Sequence, residues 1–549
     1  MLTKNFLKTG LIVFLYLATI PLSATNYYFE AGNKKSGNGS KSAPFADLNQ
    51  ISTLKLQSGD SVLLSNRTPF HGFIHLTDIA GSYNKPVIIA SYKADKSNDK
   101  PATIDAKGEK AAILIENCSY ITLENMELTA NAGGLREQSD SKNEVMRCGV
   151  LVITSRQGKF SHIKLRNLHV KDVFFEEPGF VRDAKETKSA NGTQSYGWGI
   201  RFINNIPDAE LSDIEVSNCV IENVEHTGLK FTAHKSGIKN INVISNKILR
   251  TGGPGIQMSG VENGLVSNNT IDHSGSNDDS RKWGRGSGLW TWGTSNVIIE
   301  HNQFLNANGP GDSAGAHIDF NCNDIILQYN LSANNAGGFC EILGNNYNCA
   351  YRYNISVNDG YREKGVNGAF QEGKIFWLSG YVGNGEKPRG PYNSYFYNNT
   401  IYVKANIVAK VAVGKTAAGI CMVNNIFVIE GESREVEGDQ FVADKRAKAV
   451  IPNVVFENNL FLNEKNWPKS VLIQDQHPIY GNPEFKNAGG LKLTDYIPQN
   501  VKLVKDKGIE IPQILGDRVG LKVGLKVKKD ILGHLIVNKP DMGAIETTP

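Results

Sequence analysis

The sequence predicts an all-β fold, a right-handed parallel β-helix (solenoid) with an N-terminal cap helix and inserted loops forming a cleft. Three observations carry that reading. A short apolar-x-x-Asn-x-apolar pattern recurs along most of the chain. The composition, with 55 Gly but only 19 Pro in 549 residues, suits many short strands joined by tight turns. No long alternation of strand-like and helix-like segments is present, although the length alone would suggest several domains.

The repeat centres on Asn125, Asn167, Asn218, Asn246, Asn269, Asn302, Asn330, Asn354, Asn399, Asn425 and Asn459. Steps of 23 to 28 residues match one coil of three short strands and three turns, and longer steps are coils carrying an inserted loop. Asn suits a sharp turn because it tolerates a left-handed backbone angle. Its amide can also bond the Asn stacked about 4.8 Å away in the next coil. Neither a Trp-Asp blade signature nor a Leu-rich consensus accompanies the repeat, which argues against propellers and leucine-rich repeats.

The ends follow from this frame. Residues 43–55 read as a short amphipathic helix capping the first coil, where an open end would expose a sheet edge. The solenoid with this cap spans 25–465. Residues 466–549, where the repeat fades, read as a strand-rich C-terminal cap. Lys4, Lys8, the apolar run Leu11–Ile20 and Leu22-Ser23-Ala24 read as a signal peptide over 1–24, so a secreted or periplasmic protein is expected. No later segment is apolar for long enough to span a membrane. The net charge of +4, or +2 once Lys4 and Lys8 are removed, gives no field for nucleic acid. Cys118, Cys148, Cys219, Cys322, Cys340, Cys349 and Cys421 are odd in number and contain no CxxC pair. They read as small buried hydrophobes, at least one a free thiol.

Tyr27-Tyr28-Phe29-Glu30-Ala31-Gly32, Ser36-Gly37-Asn38-Gly39-Ser40 and Ala43-Pro44-Phe45 resemble the start of many exported bacterial β-helix proteins. So do the segment 56–62 and the closing Asp541-Met542-Gly543-Ala544-Ile545-Glu546. With the Asn repeat, these make nearly the whole mature chain resemble the pectin-lyase-like superfamily of polysaccharide lyases and glycoside hydrolases. The resemblance implies that substrate lies along the outer face of one stack of strands. The paired aspartates of polygalacturonases and the calcium-ligand pattern of pectate lyases are absent.

That stack is visible in the residues. Strands opening at Gly199, Gly228, Gly255, Gly288, Ala316, Gly338 and Lys374 precede the Asn turns. Side chains alternate across a strand. If Ile200, Phe202, Leu229, Phe231, Ile256, Met258, Leu289, Ile318, Phe320 and Ile342 point inward, then Arg201, Lys230, Gln257, Trp290, Trp292, His317, Asp319 and Glu341 point outward. The stripe runs from basic through aromatic to acidic. Segments 176–197, 273–287, 306–315 and 359–373 precede these strands and would wall a groove. They carry Trp283, Arg285, Asp312, Tyr361 and Arg362, and Trp198 adjoins the first.

Asp319 and Glu341 are the expected catalytic carboxyls, Asp319 as general acid and Glu341 as base or nucleophile, with His317 on the same face to tune Asp319 or hold a sugar hydroxyl. The bland alternative is ion pairing or bonding to backbone. Trp290 and Trp292 read as sugar platforms or as packing beneath a loop, and Trp283 and Trp377 are weaker candidates. Arg201, Lys230, Gln257, Arg285 and Arg362 are expected to bind substrate. No cofactor is implied; Asp272 to Asp279 offers oxygen ligands for Ca²⁺ but lacks a loop-motif spacing. A hydrolase of polysaccharide or oligosaccharide is the first reading. A lyase would use Lys230 or His317 as base and Arg201 or Arg285 against the uronate, with Arg352 a further cation. A non-catalytic glycan-binding or adhesin-like β-helix is the third.

Overall fold

The computed structural model describes residues 24–33, 35–131, 146–177, 179–181, 196–275, 284–438 and 450–547. The proposed signal segment, Trp283, Asp278 and Asp279 lie outside them, as do parts of the loops 176–197 and 273–287. Each full coil holds three strands, as in Leu229–Ala233, Ile238–Ile244 and Lys247–Thr251, followed by Ile256–Ser259, Val261–Ser267 and Thr270–Ser274. Every named strand pair is parallel and joins neighbouring coils. Among the described residues, one sheet of twelve strands runs from Ile74–Thr77 to Ser433–Glu435, and twenty-six strands make the other two faces.

The interior is built by the expected alternation. Ile200, Phe202, Leu229, Phe231, Ile256, Met258, Leu289, Ile318 and Ile342 are all fully buried in one apolar column. Phe202 stacks on Phe231 with ring centroids 4.9 Å apart. Each such side chain contributes roughly 1.5–3 kcal/mol by leaving water. The small residues that open these strands have a steric cause. A Cβ on Gly288 would lie 2.3 Å from the Gly315 carbonyl oxygen, and one on Gly199 would lie 2.3 Å from that of Gly228. Phe320 departs from the expectation: its strand, Ala316–Ile318, has already ended, and its ring leaves the core to meet Trp292 and Tyr381.

The Asn repeat resolves into two positions. Asn246, Asn269, Asn302, Asn330, Asn354, Asn399, Asn425 and Asn459 form a buried amide ladder. Asn246 accepts from the Cys219 N–H, each later one accepts from the preceding ladder Asn, and each donates across the turn; Asn330 Nδ2 bonds Asn354 Oδ1 at 3.0 Å and the Ile299 carbonyl at 2.8 Å. The left-handed angle belongs to the residue before, such as Ser245, Asn268, His301 or Tyr329. Asn125, Asn167 and Asn218 occupy that earlier position, with φ of 56°, 50° and 53°.

Both ends differ from expectation. Residues 43–45 are extended, because Phe45 pairs with Phe29, and the helix is a 3₁₀ turn over Leu48–Thr53 that buries Leu48 and Ile51. Beyond 466 the chain is not strand-rich: the described strand there is Ile479–Tyr480, with short helical turns at Leu493–Tyr496 and Val501–Val504. This segment runs back along the outside of the coils. It buries Ile514 and Leu521 against Ile326, Tyr395 and Tyr397, and Met542 and Ile545 against Ile355 and Ile426. All seven cysteines are free and buried. Among the described residues, no helix is long and apolar enough to cross a membrane.

Candidate active site

The twelve-stranded sheet brings the predicted stripe together. Arg201 opposes Lys230, Lys230 opposes Gln257, Gln257 opposes Trp290, and Trp290 opposes His317. Ile318 pairs with Ile342, which sets Glu341 next in the row, and Glu341 opposes Trp377. Trp292 lies two residues further along its strand and Asp319 just past the end of its own, so Asp319 is the diagonal neighbour of Glu341.

Three carboxyls meet at the acidic end, Asp319, Glu341 and Asp312, the last of which the residue pattern marks only as a loop residue. Asp312 sits in the loop before Ala316–Ile318. Asp312 and Ser313 are consecutive residues at φ of 44° and 62°. Two adjacent left-handed non-glycine residues store strain of the kind found at functional sites. The loop is held from several sides. Arg285 forks onto Asp312 at 2.8 and 3.1 Å, and Gln371 Oε1 accepts from the Asp312 N–H at 2.5 Å. Arg362 donates to the carbonyls of Asp312, Gly309 and Gln371 at 2.9 to 3.0 Å. Arg285 and Arg362, expected to grip substrate, are therefore buried in the frame of this loop.

The carboxyls are driven apart in charge. Burial works against ionisation of Asp312, but the Arg285 guanidinium holds its carboxyl below the usual range. Burial pushes the Asp319 carboxyl up to about 7; the one described hydrogen bond to that carboxyl, from the Phe320 N–H at 2.9 Å, opposes the rise and the Asp312 charge adds to it. Burial also pushes Glu341 up, opposed by Lys374 and reinforced by Asp312 and Asp319. His317 is drawn down to about 4 by burial, against the pull of Asp312, and is neutral near pH 7. Its Nδ1 lies 3.2 Å from Ser287 Oγ.

The two tryptophans separate. Trp292 is 41% exposed, and its ring meets Phe320, which meets Tyr381, giving an aromatic ledge beside Asp319. Trp290 is buried instead, within an outer apolar cluster of Trp198, Tyr196 and Met146, so it is packing rather than an open platform. Trp377 is likewise buried, beneath the Lys374 ammonium 4.0 Å from its ring centre. Arg352 lies on another face, bonded to Gln328, Tyr397 and the Gly524 carbonyl under the C-terminal segment. Among the described residues no three His, Cys, Asp or Glu gather as a metal site.

This architecture has known counterparts. A family model described as a right handed beta helix region matches residues 207–428. A lacto-N-biosidase of Bifidobacterium longum subsp. longum is 22% identical over 96% of this chain and 37% of its own, so the chain spans little more than a third of that relative. A crystal structure of the GH136 lacto-N-biosidase from Eubacterium ramulus superposes with a TM-score of 0.54 at 20% identity, over 73% of this chain and 68% of that one. The PL6 family alginate lyase AlyGC gives 0.51 at 12% identity, over 89% and 59%. The fold of this chain is a right-handed parallel β-helix.

Proposed function

We propose that this chain is an exported glycoside hydrolase, cleaving an oligosaccharide or polysaccharide laid along the row from Arg201 to Glu341. One observation carries the reading: two carboxyls of one site hold opposite protonation states near neutral pH. Asp312 is ionised against Arg285, and Asp319 retains its proton through burial. Hydrolysis of a glycosidic bond needs such a pair. Asp319 acts as general acid, giving its proton to the leaving oxygen. Asp312 acts on the other side of the sugar, as nucleophile at the anomeric carbon or as base toward water. The role expected of Glu341 thus passes to Asp312, because a carboxyl that burial keeps protonated is a poor nucleophile. Glu341 and neutral His317 remain as hydrogen-bonding groups for sugar hydroxyls, and Trp292 with Phe320 as the ring platform.

The similarity to lacto-N-biosidases supports hydrolysis over β-elimination. So does the engagement of Arg285 by Asp312, which takes away one of the cations a lyase would set against a uronate. The basic and apolar first segment supports export. The test is incubation with a panel of plant, algal and host glycans, reading new reducing ends together with the absorbance of unsaturated uronate. Reducing ends without that absorbance are expected. Asp312→Asn and Asp319→Asn should each lower kcat by at least a thousandfold while leaving binding intact. An absorbance rise would show a lyase, binding without any cleavage a glycan-binding protein, and wild-type rates in both variants would remove the assignment.

A further inference from the structure

Among the described residues, the basic end of the row holds two cations without a counter-charge. Arg201 and Lys230 are in-register neighbours, one strand spacing apart. Arg201 is 5% exposed, while Lys230 keeps part of its surface open. Both lie over one ring: the Arg201 guanidinium is 4.2 Å and the Lys230 ammonium 4.7 Å from the Trp198 ring centre. Neither forms a salt bridge with any described carboxylate. Among the described residues, the one hydrogen bond from the Arg201 side chain goes to the Met146 sulfur at 3.3 Å, and the Lys230 ammonium donates none. Arg201 Nε and Trp198 Nε1 are buried donors without an acceptor among the described residues. In the adjoining coil Gln257 presents a buried Oε1 without a donor.

Two like charges side by side, one of them buried and both without a counter-charge among the described residues, are costly unless something negative completes the site. Burial and the neighbouring guanidinium both push the Lys230 ammonium well below its ordinary value, the mark of a cation lacking its partner. Nearly every other buried cation on this face is engaged: Arg285 by Asp312, Arg362 by carbonyls and Lys374 by the Glu372 carbonyl. We propose that Arg201, Lys230 and Trp198 form an anion subsite that binds an acidic substituent of the glycan, a carboxylate or a sulfate ester. Lys230 stands about three strand spacings, roughly 14 Å, from His317 along the row. The acidic group is therefore carried on a sugar some rings away from the scissile bond, and Gln257 takes a hydroxyl between them. The Arg fork and the Lys ammonium both suit such oxyanions. This rests on the row being a glycan cleft, but not on Asp312 or Asp319 doing chemistry.

The test is equilibrium binding to the full chain, followed by calorimetry and by Trp fluorescence. The probes are paired oligosaccharides: oligogalacturonate with its carboxyl-reduced form, and a sulfated galactan oligosaccharide with its desulfated form. At least one acidic member should bind about ten- to a hundredfold more tightly than its neutral partner. The preference should shrink as salt is raised, disappear in Lys230→Gln and Arg201→Gln, and survive in Lys230→Arg. The salt titration on wild type decides the matter if the neutral variants fail to fold. The carboxylate and sulfate pairs, taken separately, say which oxyanion is read. Equal affinity for acidic and neutral members overturns the subsite but leaves the glycan cleft standing. Failure to bind any probe overturns both. Release of unsaturated uronate that Lys230→Gln abolishes also overturns it, since Lys230 would then move the proton.

Discussion

Replacing Asn330 with Ala cuts the amide ladder at its centre, and the structure sets the size of the effect. Asn330 is fully buried. Its Nδ2 donates to the Ile299 carbonyl and to Asn354 Oδ1, and its Oδ1 accepts from Asn302 N and Nδ2, all at 2.8 to 3.0 Å. Three of the four groups left behind keep some satisfaction or have a second route to it. Asn354 Oδ1 still accepts from Asn330 N, Asn302 Nδ2 still reaches the Val266 carbonyl, and the Ile299 carbonyl has a second lone pair. Asn302 N loses its acceptor outright. One orphaned buried donor costs about 1–3 kcal/mol, and three weakened bonds about 0.5–1 kcal/mol each. The variant should therefore be destabilised by roughly 2.5–6 kcal/mol. Gln303→Ala, an exposed change one position beyond the ladder, should stay within about 0.5 kcal/mol. Urea titration followed by circular dichroism gives the difference, and hydrogen exchange locates it. Protection should fall first in the strands Asn323–Gln328 and Leu331–Ala333, which flank the cut turn. A loss below about 1 kcal/mol, or unfolding that begins elsewhere, would refute the ladder as a principal support.

Two further outcomes follow from the site. Asp319 holds its proton up to about pH 7 in the folded chain, against 3.8 for an ordinary Asp. Between those values the folded state binds more protons than the unfolded one, so this residue's contribution to stability declines as pH rises from about 4 to 7. The pH dependence of unfolding should be measurably flatter in Asp319→Asn, and hydrolytic activity should fall as pH rises through about 7. Parallel slopes for variant and wild type would mean that Asp319 is ionised throughout. Trp292→Ala removes the exposed ring of the ledge; KM should rise about three- to tenfold with kcat little changed and folding intact. An unchanged KM would place the sugar elsewhere.

The residues themselves were enough to reveal the solenoid, because its cause is local and repeated. Each coil needs a tight turn, a small residue where backbones nearly touch, and alternating side chains, and each need leaves a mark at Asn330, Gly288 or Phe202. The stripe from Arg201 to Glu341 was legible for the same reason, since strand alternation fixes which side chains share a face. Asp312 was not. A loop has no periodicity from which its direction can be read, and only the folded chain shows Arg285 and Arg362 aiming that carboxyl at the row. The path of the C-terminal segment was also hidden, although the outward Ile326, Tyr395 and Cys421 hint that their strands are covered on both sides. Nor does the residue pattern separate Trp290 from Trp292, which share a strand face and differ only in what the loops lay over them. What sequence alone determined was therefore what repeats along the chain, the coil and its outward row. Tertiary structure alone decided burial, and with it which carboxyl keeps its proton, because desolvation depends on every segment that folds back over a site.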